Sequence, residues 1–443
     1  MATSRKIVLS PEDHGVFHWK GITKESAAKA SEVLQENHDK HHITFNAGGF
    51  HNHIAHHILT IFALGASSET IQRQYENNAS YQRKLPRPDN KTLQELDDPA
   101  EFKKYLGKNK HYPDYLAFFQ DEIDKKGYKE VIYEYLFKGD GRAEDMLVRL
   151  HGGFVHPLIH LGFGIEFDQP AIIAEALAET AVHEAWLKPF LIGTEEAVKG
   201  NKPPKSKHLD ELIDDVLASN KLCTAARWED GNKLRDGILG RASEEMIEIA
   251  SQWTVSPEEL ELKTAEMINV AAYFTGGAQN PNKIVKYDFY FMHSVNSSIF
   301  SSAFLEKSWM SDSDKVRLLE WKGRFDLAMF ASRRAPKPMM DEITYYKPKE
   351  PSTGSDPWAN LIERIKEHPD DGHAAKLVRA LANGQRVCQK YEDQKGFRIK
   401  DKMWLQLGHM AVDSVENTGS RWVRSAGFEE AWADFDDRPK AQL

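Results

Sequence analysis

The chain has 443 residues, 41% of them hydrophobic and 28% charged, with a formal net charge of −9 and a pI near 6.1. It is long enough to bury a large core, and its acidic balance, with no basic stripe, excludes nucleic acid as a partner. Its two cysteines, Cys223 and Cys388, exclude a disulfide framework and a thiolate metal site.

Residues 24–40 have the composition and apolar spacing of a helix. A turn over Asn46 to Gly49 leads into the densest stretch of the chain, Phe50 to Gly65. His51, His53, His56 and His57 fall within it, four of the chain's 19 histidines in seven residues. They run into an apolar segment that ends at Gly65, as a helix ends on a glycine in the left-handed conformation. A helix that is apolar all round belongs inside a protein, so these imidazoles are expected to be buried. Ser67 or Ser68 caps the next helix, with Glu69 in its first turn. Leu85 to Asn90 is a loop by its prolines, and several helices follow over residues 91–150, broken at Gly139-Asp140-Gly141.

The second dense stretch is His151-Gly-Gly-Phe-Val-His156-Pro-Leu-Ile-His160-Leu-Gly-Phe-Gly-Ile-Glu166. Ala171 to Ala185 reads as an almost wholly apolar helix, residues 200–207 as an exposed polar loop and residues 243–275 as helical. Tyr287 to Phe304, with His293 inside it, is a third buried segment. Residues 336–357 carry five prolines and form the longest irregular stretch, the best candidate for a lid or strap. Helices return after Trp358, with Lys376 three residues beyond His373. Few segments alternate with a period of two, and no repeat stands out. The reading is all-α: one large helical domain spanning residues 1–443, a bundle around a buried His-rich metal centre. The apolar run from Ile54 to Ala66 is too short to span a bilayer, and the N-terminus too weakly apolar for a signal peptide, so a soluble cytoplasmic protein is expected.

On a helix, positions i and i+4 share a face. His53 and His57 are so spaced, as are His156 and His160. This is how one helix offers two imidazoles to one ion. Pro157 fits the first turn of a helix, with His156 just before it. Buried imidazoles must spend both ring nitrogens, and seven of them in two short apolar segments favour a metal over packing alone. With Glu166 the only carboxylate close in sequence, Fe, Zn, Cu or Ni suits the donors better than Mg or Ca. His183-Glu184 opens like a zinc-protease helix, but Leu187 stands where the second ligand belongs, so this pair reads as core or as support to other ligands. There is no GxGxxG, no GxSxG elbow and no Walker A loop. His293 alone reads as core. A buried Lys376 joins a metal site only when uncharged, for example as a carbamate made with carbon dioxide.

The ordered set Asn52-His53, Leu64-Gly65-Ala66, His156-Pro-Leu-Ile-His160-Leu-Gly-Phe-Gly-Ile-Glu166, Phe-Met-His293-Ser-Val-Asn and Asp371-Gly-His373-Ala-Ala-Lys376-Leu resembles the questin oxidase-like family over nearly the whole chain. The resemblance implies an oxygen-inserting, ring-cleaving reaction on anthraquinones in fungal polyketide pathways. It carries over His53, His156, His160, His293 and Lys376 as a metal set. His57, tolerant of other residues in the family pattern, ranks below them. With the resemblance, the main reading is a non-haem Fe(II) dioxygenase acting on an anthraquinone or anthraquinol with dioxygen. His53, His156, His160, His293 and a carboxylated Lys376 hold the iron, and His57, His151, Glu166, Asp288 and His373 serve as supporting or proton-transferring groups. Phe154, Phe163, Trp186 and Tyr290 are candidates to line the substrate pocket. The alternative reading is an NADPH-dependent Baeyer–Villiger-type monooxygenase without metal, although neither a flavin fingerprint nor FxGxxxHxxxW is present. A non-catalytic polyketide-binding protein is the third reading.

Overall fold

A computed structural model describes residues 1–200, 206–352, 356–416 and 419–439. The described residues are 64% helical, and their strands are two short ones. The all-α expectation therefore holds. The chain sorts into two compact units, each discontinuous in sequence. The first comprises Met1–Lys188, Glu306–Trp309 and Lys366–Lys376, and the second Pro189–Leu305, Met310–Ile365 and Leu377–Leu443.

In the first unit, α1 (Lys24–Lys40) starts at Thr23, whose hydroxyl accepts the Ser26 amide while the Ser26 hydroxyl accepts the Thr23 amide. Its Ala27, Ala30, Val33 and Leu34 form the buried face. α2 (Ile54–Ala63) is buried at all ten residues. Burying Ile54, Ile58, Leu59, Ile61 and Phe62 stabilises the unit by on the order of 10 kcal/mol before chain entropy is set against it. Gly65 ends the helix at φ +75°, and a Cβ there would meet the Lys20 carbonyl oxygen at 2.2 Å. α3 (Ser68–Ala79) begins at Ser67, whose hydroxyl accepts the Thr70 amide. α4 (Tyr112–Lys126), α5 (Gly141–Leu150), α6 (Gly152–Glu166) and α7 (Pro170–Val182) complete this unit's longer helices. α6 packs on α7, which also packs on α4. Gly164 allows the α6–α7 approach: a Cβ there would come within 2.7 Å of Ile173.

In the second unit, α8 (Leu260–Gly277), α9 (Phe289–Leu305) and α10 (Asp312–Ser332) pack together. The helical reading of 243–275 is interrupted: Ser243–Ala250 and α8 are separate helices, parted where Trp253 buries its ring and Pro257 opens a new turn. α11 (His373–Cys388) has its first four residues in the first unit. α12 (Met403–Glu416) follows. A parallel pair, β1 (Tyr287–Asp288) and β2 (Trp422–Val423), ties two loops. The irregular stretch 336–357 contains a short helix, Met340–Thr344, and is anchored where Asp413 accepts the Tyr346 hydroxyl at 2.8 Å and the Lys349 amide at 3.0 Å. Residues 201–205 of the expected polar loop, and 353–355 of the proline-rich stretch, lie outside the described residues. No helix among the described residues is long and apolar enough to cross a membrane.

Candidate active site

The first unit builds its buried polar cluster from the entry to α2, the entry to α6, residues 370–376 and α7. Asn52 is the key to the first of them. Its Oδ1 accepts the Ile54 amide at 3.0 Å and its Nδ2 donates to Asn37 Oδ1 at 2.8 Å. Asn52 thus satisfies the start of α2 in place of His53, which makes no side-chain cap and is free to turn inward. The second place is the entry to α6. Gly153, Phe154 and Val155 all have left-handed backbone angles, at φ +53°, +57° and +61°. For Phe154 and Val155 this conformation costs about 1–2 kcal/mol each. The regular right-handed helix runs on from His156 and Pro157, in keeping with proline at a helix start. The turn also lets the Gly153 carbonyl receive His156 Nδ1 at 2.5 Å, which fixes the ring.

The two helices then face each other. His53 Nε2 lies 2.9 Å from His156 Nε2, and His56 Nε2 lies 3.1 Å from His160 Nδ1. The facing pair on α2 is thus His53 and His56, spaced i, i+3, opposite the i, i+4 pair His156 and His160. His57 points elsewhere: its Nδ1 receives Asn78 Nδ2 at 3.2 Å, and its Cβ packs where a side chain on Gly372 would fall, 2.6 Å away.

The third contribution comes from residues 370–376. His373 Nδ1 lies 2.6 Å from Asp371 Oδ1, and Asp371 Oδ2 lies 3.4 Å from His53 Nδ1. The rings of His53 and His373 meet edge to face at 4.5 Å. His53, His156 and His373 each offer a nitrogen within 4.8 Å of the others. That spacing and donor type suit a borderline transition ion, which would act there as a Lewis acid. Burial, then the neighbouring His373 and Lys376, holds His53 well below its usual range, so it is neutral and able to ligate. Lys376 is buried with no hydrogen-bond partner at Nζ. Burial brings its pKa down to about 8, against the opposing charges of Asp371 and Asp370.

The fourth contribution is α7. Burial works against charge on His160, but Glu175 Oε2 at 2.8 Å outweighs it and raises the imidazole's pKa. Burial likewise opposes the Glu175 carboxylate, yet His160 and then His38, whose Nδ1 is 2.6 Å from Oε1, bring it down to about 2. His38 Nε2 meets Gln120 Nε2 at 2.9 Å, so a line of polar groups leads from His56 through His160, Glu175 and His38 to half-buried Gln120. Glu175 and Glu179 were not read from the sequence, yet two carboxylates at i, i+4 in an otherwise apolar helix are a signal.

The remaining predicted residues are placed as follows. His151 sits at the α5–α6 junction with Nδ1 3.1 Å from the Leu147 carbonyl oxygen. Glu166 Oε1 accepts the Val16 amide at 2.8 Å. His293 and Asp288 belong to the second unit. His293 Nδ1 lies 2.6 Å from the Phe289 carbonyl oxygen, and Asp288 accepts four backbone amides: Tyr290 and Phe291 on Oδ1, Ser425 and Ala426 on Oδ2. Phe163 stacks on His56 with ring centroids 5.3 Å apart. A polar cleft of about 740 Å³ lined by Phe118, Glu122, Lys126, Tyr135 and Arg142 contains none of these histidines.

Comparison with known proteins places the chain in a family. The questin oxidase-like family pattern matches residues 50–381. The chain is 39% identical to oxidoreductase AflY of Aspergillus parasiticus, over 98% of this chain and 94% of that one. It is 40% identical to Baeyer–Villiger oxidase ptaJ of Pestalotiopsis fici, over 97% and 98%. It is 38% identical to a questin oxidase of Aspergillus fumigatus, over 98% and 99%. These names overturn the main reading of the sequence as a non-haem iron dioxygenase: full-length relatives are named as Baeyer–Villiger oxidases, the chemistry of the alternative. The histidine clustering that suggested the iron enzyme is real, but donor spacing identifies neither an ion nor a reaction. The chain belongs to the questin oxidase-like family and is an oxidoreductase.

Proposed function

We propose that this chain catalyses a Baeyer–Villiger-type oxygen insertion beside a ring ketone of an anthraquinone-class polyketide, with NADPH as reductant. The observation that carries the reading is the near full-length likeness to relatives named Baeyer–Villiger oxidase and questin oxidase. One molecule each of ketone, dioxygen and NADPH, with a proton, gives ester, NADP⁺ and water. The ring carbon–carbon bond beside the carbonyl breaks, a carbon–oxygen bond replaces it, and the second oxygen atom leaves as water. Hydrolysis of the ester then opens the ring.

The chain's own groups supply charge and proton handling. Lys376, buried and without a hydrogen-bond partner, offers positive charge to an oxyanion developing on the substrate. His53, His156 and His373 orient that anion, and the His56–His160–Glu175–His38 line carries a proton toward Gln120. The described residues contain one pair of two-residue strands, which does not fit a Rossmann-type nicotinamide seat, so no step is routed through the nicotinamide.

The test is turnover of a hydroxyanthraquinone by purified protein under ¹⁸O₂. One labelled atom in the product, with one NADPH consumed per turnover, is expected. Two labelled atoms without NADPH consumption overturns the proposal. Metal analysis, with activity measured after chelation, decides whether the His53 group also carries an ion.

A further inference from the structure

Beside the His53–His156–His373 group lies a second convergence that shares no residue with it. His51 comes from the bridge before α2, while Glu179 and His183 come from the end of α7. His51 Nε2 and His183 Nε2 are 2.9 Å apart. Glu179 Oε1 is 3.5 Å from the first and 3.8 Å from the second. The point equidistant from these three atoms lies about 2.0 Å from each, the length of a bond from a first-row divalent ion to imidazole nitrogen or carboxylate oxygen.

Glu179 points to a missing partner. It is 1% exposed, and neither carboxylate oxygen has a hydrogen-bond donor. Its other oxygen faces His160 Nδ1 at 3.7 Å, again beyond hydrogen-bonding distance. A hydrogen bond between the two imidazoles would satisfy one nitrogen on each ring and leave this buried carboxylate as it is. Buried charges are paired or coordinate metals. The backbone also makes room for the convergence. A Cβ on Gly153 would lie 2.5 Å from His183 Cε1 and 3.1 Å from His51 Cε1, so the left-handed turn keeps open the space both rings occupy. The His183 side chain is 19% exposed and that of His51 10%, which gives an ion a route in.

We infer that His51, Glu179 and His183 bind one divalent transition-metal ion of the zinc class. Two imidazoles and a carboxylate form a borderline donor set, which selects such ions over Mg²⁺ and Ca²⁺. The ion neutralises Glu179 and pins the end of α7 to the entrance of α2. The inference does not rest on the oxygen-insertion reading, and neither failure implies the other.

The experiment uses the full chain, stripped with a chelator and titrated with Zn²⁺, and with Co²⁺ for its visible d–d bands. Metal content and affinity are compared in wild type, Glu179→Gln, His183→Ala and His373→Ala, with circular dichroism confirming the fold. His183, at the rim of the group, provides a second variant should Glu179→Gln fail to fold. Wild type is expected to bind an equivalent whose affinity drops at least about tenfold in Glu179→Gln and His183→Ala but persists in His373→Ala. No binding by wild type at micromolar Zn²⁺, or unchanged binding in His183→Ala, overturns the inference.

Discussion

The two units bury polar groups in opposite ways. In the second unit the buried charges of Asp288 and Lys322 are met by partners. Asp288 accepts four backbone amides and faces the charge of Arg333, and Lys322 pairs with Asp326 while donating to the Ser294 carbonyl oxygen at 3.1 Å. In the first unit the buried groups turn toward one another: imidazole faces imidazole across α2 and α6, Lys376 Nζ has no hydrogen-bond partner, and Glu179 has no donor. The first pattern holds a fold together. The second leaves donors and charge uncommitted, which is how a protein pays for chemistry.

The comparison breaks most visibly at Asp288. Asp288→Ala strands four amides and the Arg333 charge, so a stability loss of about 3–5 kcal/mol is expected by urea denaturation. A loss below about 1 kcal/mol would remove Asp288 from the structural class. Next comes His156→Ala, expected to reduce kcat at least about 100-fold while the urea midpoint moves little. Wild-type turnover in this variant ends the assignment of the cluster as the active site.

The sharpest contrast is one substitution made twice. Lys322→Met orphans Asp326 and is expected to destabilise by about 3 kcal/mol. Lys376→Met removes a buried ammonium that has no hydrogen-bond partner, so stability is expected to hold or rise by about 1 kcal/mol while activity collapses. Equal destabilisation at the two sites would erase the distinction between the units.

The smallest effect is pH dependence. Glu175, lowered to about 2, contributes stability above its unfolded value of 4.5 that is lost as pH falls through 2. His160, raised, contributes stability below its unfolded value of 6.5 that is lost as pH rises through the raised value. The pair is therefore worth most between about pH 4.5 and 6.5, on the order of 2 kcal/mol. Glu175→Gln should flatten melting temperature against pH across that window, and an unchanged profile would dismiss the pair as a stability element.

The sequence was most legible where local chemistry decides. The bounds of α1, the Ser67 cap, the burial of α2 and the start of a helix at Pro157 all follow from spacing, caps and prolines. The pairing of His53 with His156 across more than a hundred residues does not, because no local rule encodes it. Spacing also favours His57 over His56, and the structure turns His57 to Asn78 because α2 meets α6 along its i, i+3 face. The contacts of Asp371 and His183 are as illegible as the partner of His156, because each meets a residue far away in sequence. Glu175 and Glu179 are hidden for another reason: the apolar pattern of their helix signals burial and says nothing of what its two carboxylates meet.

The left-handed turn at Gly153-Phe154-Val155 has a practical corollary for protein engineering. Val155 is β-branched, the side-chain type least suited to such a backbone, and Phe154 is only slightly better placed. Glycine or asparagine at 154 relieves that mismatch without displacing an imidazole, which opens a route to a hardier catalyst. Redesigns that straighten the turn to gain helix would instead swing His156 off its partner.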